Sequence, residues 1–158
     1  MDTEYLRVIL PAIGLKISRG VFASSEFDLI AERERNLILS TPPLYLLFRS
    51  VSTVDENTIA EWSTRYPNIL NKVQGNIVGG GKSFFVFLIA DSVALDAAER
   101  LTRLSRRARV INKMFVIDNE HGRLHGTFPT LPIQFMVFYQ KLTAGIEFGF
   151  AQDAVLYT

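Results

Sequence analysis

Apolar residues recur at the three- and four-residue spacing of an α-helix in three segments of the chain. The first segment begins with Asp2 or Thr3 as a candidate N-cap. The second begins with Thr53-x-x-Glu56, a pattern typical of a capping box. The third follows residue 92, and together they predict three amphipathic helices.

Continuous or alternating apolar runs between these segments predict strands. The most apolar run is KSFFVFLIAD, and its composition is typical of a strand buried on both faces. The predicted strand regions are residues 26–39 (a hairpin), 44–51, 82–91, 113–118 and 123–128 (the hairpin partner of 113–118). The pattern after Pro129 and Pro132 is ambiguous, because IQFMVFYQKL fits a strand or an amphipathic helix.

The alternation of strands and helices predicts a single α/β domain over residues 1–158, with a mixed sheet flanked by helices in three layers. The length of 158 residues is usual for one domain. The strand, helix and strand between residues 83 and 118 are expected to form a right-handed parallel crossover.

Composition excludes several classes of chemistry. The chain has no cysteine, so it has no disulfide, thiolate metal site or cysteine nucleophile. The longest clean apolar run, residues 84–90, is far shorter than the about 20 residues that span a bilayer. The acidic start of the chain is unlike a secretory signal. We therefore expect a cytoplasmic protein without a membrane anchor.

Residues 79–83 read GGGKS, which resembles the end of a phosphate-binding loop. The full motif requires a glycine at position 76, where this chain has Asn76. The motif also requires a strand before the loop and a helix after it, whereas the pattern here predicts the reverse. We expect a helix-to-strand connection without a bound nucleotide.

Asp28 lies within a predicted strand, in EFDLIAERERNLIL. One explanation is a solvated strand face. The other is that residues 3–118 resemble the restriction-endonuclease-like PD-(D/E)XK nucleases in their order of elements. That resemblance implies a three-layer nuclease-like fold in which Asp28 binds a divalent metal such as Mg²⁺. The family's Glu-x-Lys or Gln-x-Lys is absent from the next strand, where Ser40, Thr41 and Pro42 stand instead. The resemblance therefore implies a degenerate site without a cofactor.

A basic run carries Arg100, Arg103, Arg106 and Arg107. Placed on a helix, such residues could bind phosphates of a nucleic acid. The favoured alternative is structural, since Asp96–Arg100 and Glu99–Arg103 form stabilising i,i+4 pairs and basic residues near a helix C-terminus complement its dipole.

Asp91 and Asp118 each end a predicted parallel strand, at the edge where α/β sheets bind ligands. The structural alternatives are a helix N-cap for Asp91 and a turn for Asp118. His121 and His125 are separated by about 13 Å on an extended strand, which is too far for one metal ion.

Residues 127–158 contain seven aromatic residues and three charged ones. Core packing is one explanation, and a surface for a homo-oligomer or a protein partner is the other. Because every catalytic motif lacks a partner residue, we expect a non-catalytic interaction or self-associating domain. The alternatives are a metal-dependent PD-(D/E)XK-like nuclease or nucleic-acid-binding protein, and a small-ligand-binding domain that uses the sheet edge.

Overall fold

The structure is a computed structural model that describes residues 1–18, 26–33, 43–74, 83–105, 111–130 and 135–156. Its elements, in chain order, are α1 (Thr3–Ala12), β1 (Lys16–Ile17), β2 (Leu29–Arg33), β3 (Leu44–Val54), α2 (Glu56–Gln74), β4 (Ser83–Val93), α3 (Leu95–Thr102), β5 (Asn112–Asp118), β6 (Arg123–His125) and α4 (Met136–Leu156). Within these ranges, none of the helices combines the length and apolarity needed to span a bilayer.

The six strands form one mixed sheet in the order in which they occur along the chain. β3, β4 and β5 are parallel, and β1, β2 and β6 extend the sheet antiparallel at its two sides. The predicted α/β class and the parallel pairing of β4 with β5 are confirmed. The short strand β1 was not expected from the pattern.

Helices cover both faces of this sheet, so the fold has three layers. Alternate side chains of β3, β4 and β5 enter two separate cores, as the two-residue period of a strand requires. The first core joins the sheet to α2 and α3 and includes Leu47, Val86, Val116, Trp62, Tyr66 and Leu101. The second core joins the sheet to α1 and α4 and includes Phe48, Phe87, Phe115, Leu10, Phe138 and Leu142.

Side-chain caps begin two of the helices. The Asp2 carboxylate accepts a hydrogen bond from the Tyr5 amide at 3.0 Å, which confirms it as the cap of α1. At α2 the predicted capping box is wrong, because Thr53 still belongs to β3. Asp55 takes the role, and its Oδ1 accepts from the amides of Asn57 at 3.0 Å and Thr58 at 3.2 Å.

The third helix is shorter than its sequence pattern indicates. Asp91 and Ser92, expected to cap it, lie in β4, and the N-cap position is occupied by Ala94, which makes no side-chain bond. The helix ends at Thr102, and residues 106–110 lie outside the described part of the chain. Within the described residues, the helix therefore includes Arg100 and ends before Arg103.

A helix precedes and a strand follows the glycine run, as predicted: α2 ends at Gln74 and β4 begins at Ser83. Residues 75–82 themselves lie outside the described ranges, as do residues 34–42, which hold the expected second half of the early hairpin. Pro67 does not split α2, which is a single helix through that position.

The ambiguous C-terminal region is a helix, α4, and most of its aromatic side chains fill the second core. Phe135, Phe138 and Tyr139 are buried, which supports core packing for this part of the segment. Phe148 differs, because 59 % of its surface is exposed.

Helix α1 packs closely on α4 because two glycines leave room for it. A Cβ atom added to Gly149 would lie 2.6 Å from the Tyr5 ring, and one added to Gly145 would lie 3.0 Å from Ile9. The Tyr5 hydroxyl also donates to the Gly145 carbonyl at 2.6 Å.

We predict that Gly149→Ala destabilises the protein by up to about 2 kcal/mol, because the roughly 1 kcal/mol that alanine gains in helix propensity offsets only part of an overpacking cost of about 1–3 kcal/mol. Chemical denaturation measures this difference. Ala60→Gly, at an exposed position of α2, is the control and should lose only the propensity difference. An unchanged or increased stability of Gly149→Ala would contradict the close packing.

Tyr139 carries a buried hydroxyl without a hydrogen-bond partner among the described residues. Burial raises the pKa of this phenol, and the nearby Arg33 guanidinium opposes the rise without cancelling it. Removing an unsatisfied buried hydroxyl relieves its desolvation cost, so Tyr139→Phe should increase stability by about 1 kcal/mol.

The same substitution changes the response to high pH. The pKa of Tyr139 is higher in the folded state than in the unfolded state. The free energy of unfolding is therefore unaffected by this group below the unfolded pKa of about 10, and it falls as the pH rises from there through the folded value. Tyr139→Phe should therefore lose less stability above about pH 10. Tyr5→Phe, which loses a hydrogen bond, is the contrast and should be less stable at neutral pH; equal effects of the two variants would contradict the assignment.

Candidate functional site at the sheet edge

Asp118 is a fully buried carboxylate at the last position of β5. The carboxyl ends of the parallel strands β3, β4 and β5 lie at this same edge of the sheet. A buried carboxylate is costly unless its oxygens receive hydrogen bonds or a positive partner. The environment of Asp118 is therefore the most informative chemical feature of this edge.

The chain folds back to this edge through a tight turn. Asp118 pairs in register with Arg123, and Val116 pairs with His125, so β6 returns directly beside β5. Gly122 allows the turn with a φ of 62°, and Gly126 has a φ of 122°. A side chain at Gly126 would collide with the Phe115 ring, so this glycine is also needed for the close approach.

Two imidazoles meet at the Asp118 carboxylate. Its Oδ2 lies 2.8 Å from His121 Nδ1 and 2.8 Å from His125 Nε2. Its Oδ1 accepts a hydrogen bond from the His121 backbone amide at 2.9 Å. The expected separation of about 13 Å is wrong, because His121 lies in the turn and His125 on the returning strand, and both rings contact one carboxylate oxygen. Binding of one metal ion by both histidines is not tested by these contacts.

These contacts change the ionisation of Asp118. Burial alone would raise the pKa of the carboxyl, but the hydrogen bonds from His125 and His121 outweigh burial and hold the pKa below its usual value. Asp118 is therefore a carboxylate at neutral pH, with its negative charge directed at two imidazoles.

Glu120 completes a possible ligand set in the turn. One ligand atom from each of Asp118, Glu120 and His121 lies within 4.8 Å of the other two, and this is the one such group found among the described residues. Glu120 Oε2 accepts from the Val93 amide at 2.6 Å, which ties the turn to the end of β4. Glu120 and His121 are exposed, whereas Asp118 is buried beneath them.

Asp91 lies near this turn but is not part of the ligand group. Its Oδ1 accepts from the Asn119 side-chain amide at 3.3 Å. Asp91, Asn119 and Glu120 line a cleft of about 640 Å³ together with Asp2 and Tyr5. Of the two acids predicted at the sheet edge, Asp118 is therefore buried and Asp91 is exposed, and Asp91 contacts the side chain of Asn119, the residue that follows Asp118.

Asp28 is placed differently from its sequence prediction. It lies in an exposed bend before β2 and not within the strand. Its Oδ2 accepts from the Ser50 amide at 2.7 Å, and its carbonyl accepts from Arg7 at 3.2 Å. The carboxylate thus joins the bend to β3 at Ser50, and it does not belong to the ligand group described above.

The bend at Asp28 also changes which side chains share a face. Phe27 and Ile30 enter the first core, whereas Leu29 and Ala31 enter the second. Asp28 itself is exposed, as the explanation of a solvated position requires, but Ile30, expected on the same face, is buried in the first core.

Arg100 and Arg103 of the basic run lie in the described part of the chain, and both form ion pairs. Arg100 pairs with Glu56 of α2 instead of the expected Asp96, and Arg103 forms the expected pair with Glu99. Both arginines remain more than half exposed. Arg106 and Arg107 lie outside the described residues, so the predicted nucleic-acid surface stays a prediction.

No family model, curated protein or solved structure matches this chain. The resemblance to the PD-(D/E)XK nucleases therefore stays a prediction from the order of elements.

We predict that Asp118 makes stability depend on acid pH. Because its folded-state pKa is lowered, its contribution is present above the unfolded pKa of about 3.9 and is lost as the pH falls through the folded value. Asp118→Asn should be less stable at neutral pH by about 1–3 kcal/mol, because two imidazoles lose their shared acceptor. Its stability should then fall less than that of the wild type below about pH 4.

Denaturant titrations at several pH values measure both effects. Asp96→Asn removes an exposed acid on α3 and is the matched control, which should follow the wild type. An Asp118→Asn variant with the acid sensitivity of the wild type would show that Asp118 is not stabilised by its imidazole partners.

Proposed function

We propose that this chain is a metal-binding α/β domain, and that Asp118, Glu120 and His121 bind a divalent first-row transition-metal ion at the edge of the sheet. The observation that supports this most directly is the grouping of their three ligand atoms within 4.8 Å. His125 has a positioning role, because it holds the Asp118 carboxylate from the opposite strand at 2.8 Å.

The ligand types favour a particular kind of ion. One imidazole with two carboxylates suits Zn²⁺, Co²⁺ or Mn²⁺ better than Ca²⁺ or Mg²⁺, which prefer oxygen ligands alone. Ligand bonds to Zn²⁺ are about 2.0–2.2 Å long, so two ligands of a tetrahedral ion are separated by about 3.3–3.6 Å. Glu120 and His121 are exposed, so small side-chain rotations can bring their ligand atoms to this separation.

The surroundings also favour a bound ion. In open α/β sheets, ligands bind outside the carboxyl ends of the parallel strands, which is where this turn lies. The Val93 amide holds one oxygen of Glu120 and leaves the other available. A metal with three protein ligands keeps an open position for water or a small ligand.

Thermal unfolding with added Zn²⁺ tests the proposal. An ion at about 100 times its dissociation constant stabilises the folded state by about 2.7 kcal/mol. For a domain of this size that corresponds to a rise in Tm of several degrees, at about 2–4 °C per kcal/mol. Mg²⁺ should produce no comparable rise. Co²⁺ adds a spectroscopic readout, since imidazole coordination produces visible ligand-field absorption.

Two conservative variants locate the site. Glu120→Gln keeps an oxygen that can accept from the Val93 amide, and His121→Gln keeps a polar side chain in the exposed turn. Both should lose most of the Zn²⁺-dependent rise in Tm, whereas Glu147→Gln on α4 should keep it. A wild type that does not respond to Zn²⁺ or Co²⁺, or variants that respond as the wild type does, would overturn the proposal.

A further inference from the structure

The outward face of α4 carries exposed apolar side chains near both ends and between them, beside exposed polar residues such as Lys141 and Glu147. Val137, Phe148 and Val155 are 61 %, 59 % and 74 % exposed. With Lys141, Ala144 and Ala151, which are also exposed, they form a surface that we call the outer stripe. Its six members are Val137, Lys141, Ala144, Phe148, Ala151 and Val155. Their spacing of four, three, four, three and four residues places them in one line along the helix.

The fold prevents α4 from rotating to bury this stripe. Phe138, Leu142 and Ile146 on its opposite face belong to the second core. Gly145 and Gly149 are held against α1 by Ile9 and Tyr5. The outer stripe therefore faces away from the sheet.

The order of residues in the outer stripe is symmetrical about residue 146. In an antiparallel pair of α4 helices, Val137 faces Val155 of the second copy. Lys141 then faces Ala151, and Ala144 faces Phe148. Each large or charged side chain therefore meets a small one, which is the complementarity that close helix packing requires.

We infer that two copies of this chain associate through antiparallel contact of their α4 outer stripes. A parallel pair would place Lys141 against its own copy, which is unfavourable for like charges. It would also pair Phe148 with Phe148 and Ala144 with Ala144. Two large side chains would then meet at one position and two small ones at another, which prevents close packing along the helices. A two-fold axis makes the antiparallel contact closed, which limits assembly to a dimer.

The length of the helix sets the expected strength of the contact. The 21 residues of α4 extend about 31 Å. One pair of helices of this length is expected near the lower limit of about 1,200 Å² for stable interfaces. We therefore expect a reversible dimer whose population depends on protein concentration in the micromolar range.

Sedimentation equilibrium over a concentration series tests for the dimer. Phe148→Glu should produce a monomer throughout the series, because two buried carboxylates would face alanine. Adding Ala144→Lys to Phe148→Glu should restore the dimer, since the antiparallel register brings the introduced charges together twice. Ser63→Glu adds the same charge to α2, in the other helical layer, and should leave association unchanged.

The absence of native cysteine allows a direct test of orientation. Val137→Cys mixed with Val155→Cys should form a mixed disulfide under mild oxidation, whereas either variant alone should not cross-link efficiently. Self-cross-linking of each variant would indicate a parallel pair and overturn the proposed arrangement. A wild-type chain that remains monomeric at all concentrations would overturn the dimer itself.

Discussion

Burial of both faces of the parallel strands is the constraint on which the rest of the structure depends. β3, β4 and β5 carry apolar side chains on each face, so a single helical layer could not remove them from water. The two crossover connections provide α2 and α3 for one face. The second face depends on the two ends of the chain, which contribute α1 and α4. The glycines that let α1 and α4 approach each other therefore serve the sheet as well as the helix pair.

The same constraint directs polar chemistry to one edge. Within the buried strands of the described chain, charge is nearly excluded, and Asp118 at the end of β5 is fully buried. Its cost is offset locally, because the hairpin to β6 returns two imidazoles to the carboxylate. An acid, its partners and the exposed Glu120 are thereby held in one short turn. The proposed metal site would use this arrangement, since Asp118 holds His121 and the Val93 amide holds Glu120.

Sequence patterns predicted the features that follow from local periodicity. The run from Phe84 to Ala90 indicated a strand buried on two sides, and the alternation of elements indicated the mixed sheet. Patterns were less reliable where an element continues past its buried part. Asp91 and Ser92 resemble a helix cap, but β4 continues through these two exposed residues to Val93. The histidine pair depends on the register of β5 with β6, which spacing along one extended strand does not reveal. Pairing of Val116 with His125 brings the His125 side chain back along β5, near Asp118.

Helix α4 shows why one segment resisted assignment from its pattern. A surface helix is recognised by the contrast between an apolar and a polar face. In α4 the core face is apolar, and the outer stripe is also apolar except for Lys141. The contrast therefore disappears, and a strand and a helix fit the sequence equally well. A solvent-facing helix has no need of Phe148 and Val155 on its outer side, whereas a helix covered on both sides does. The ambiguity of the pattern and the inferred dimer thus have one physical origin, a helix with apolar side chains on its core face and on its exposed face.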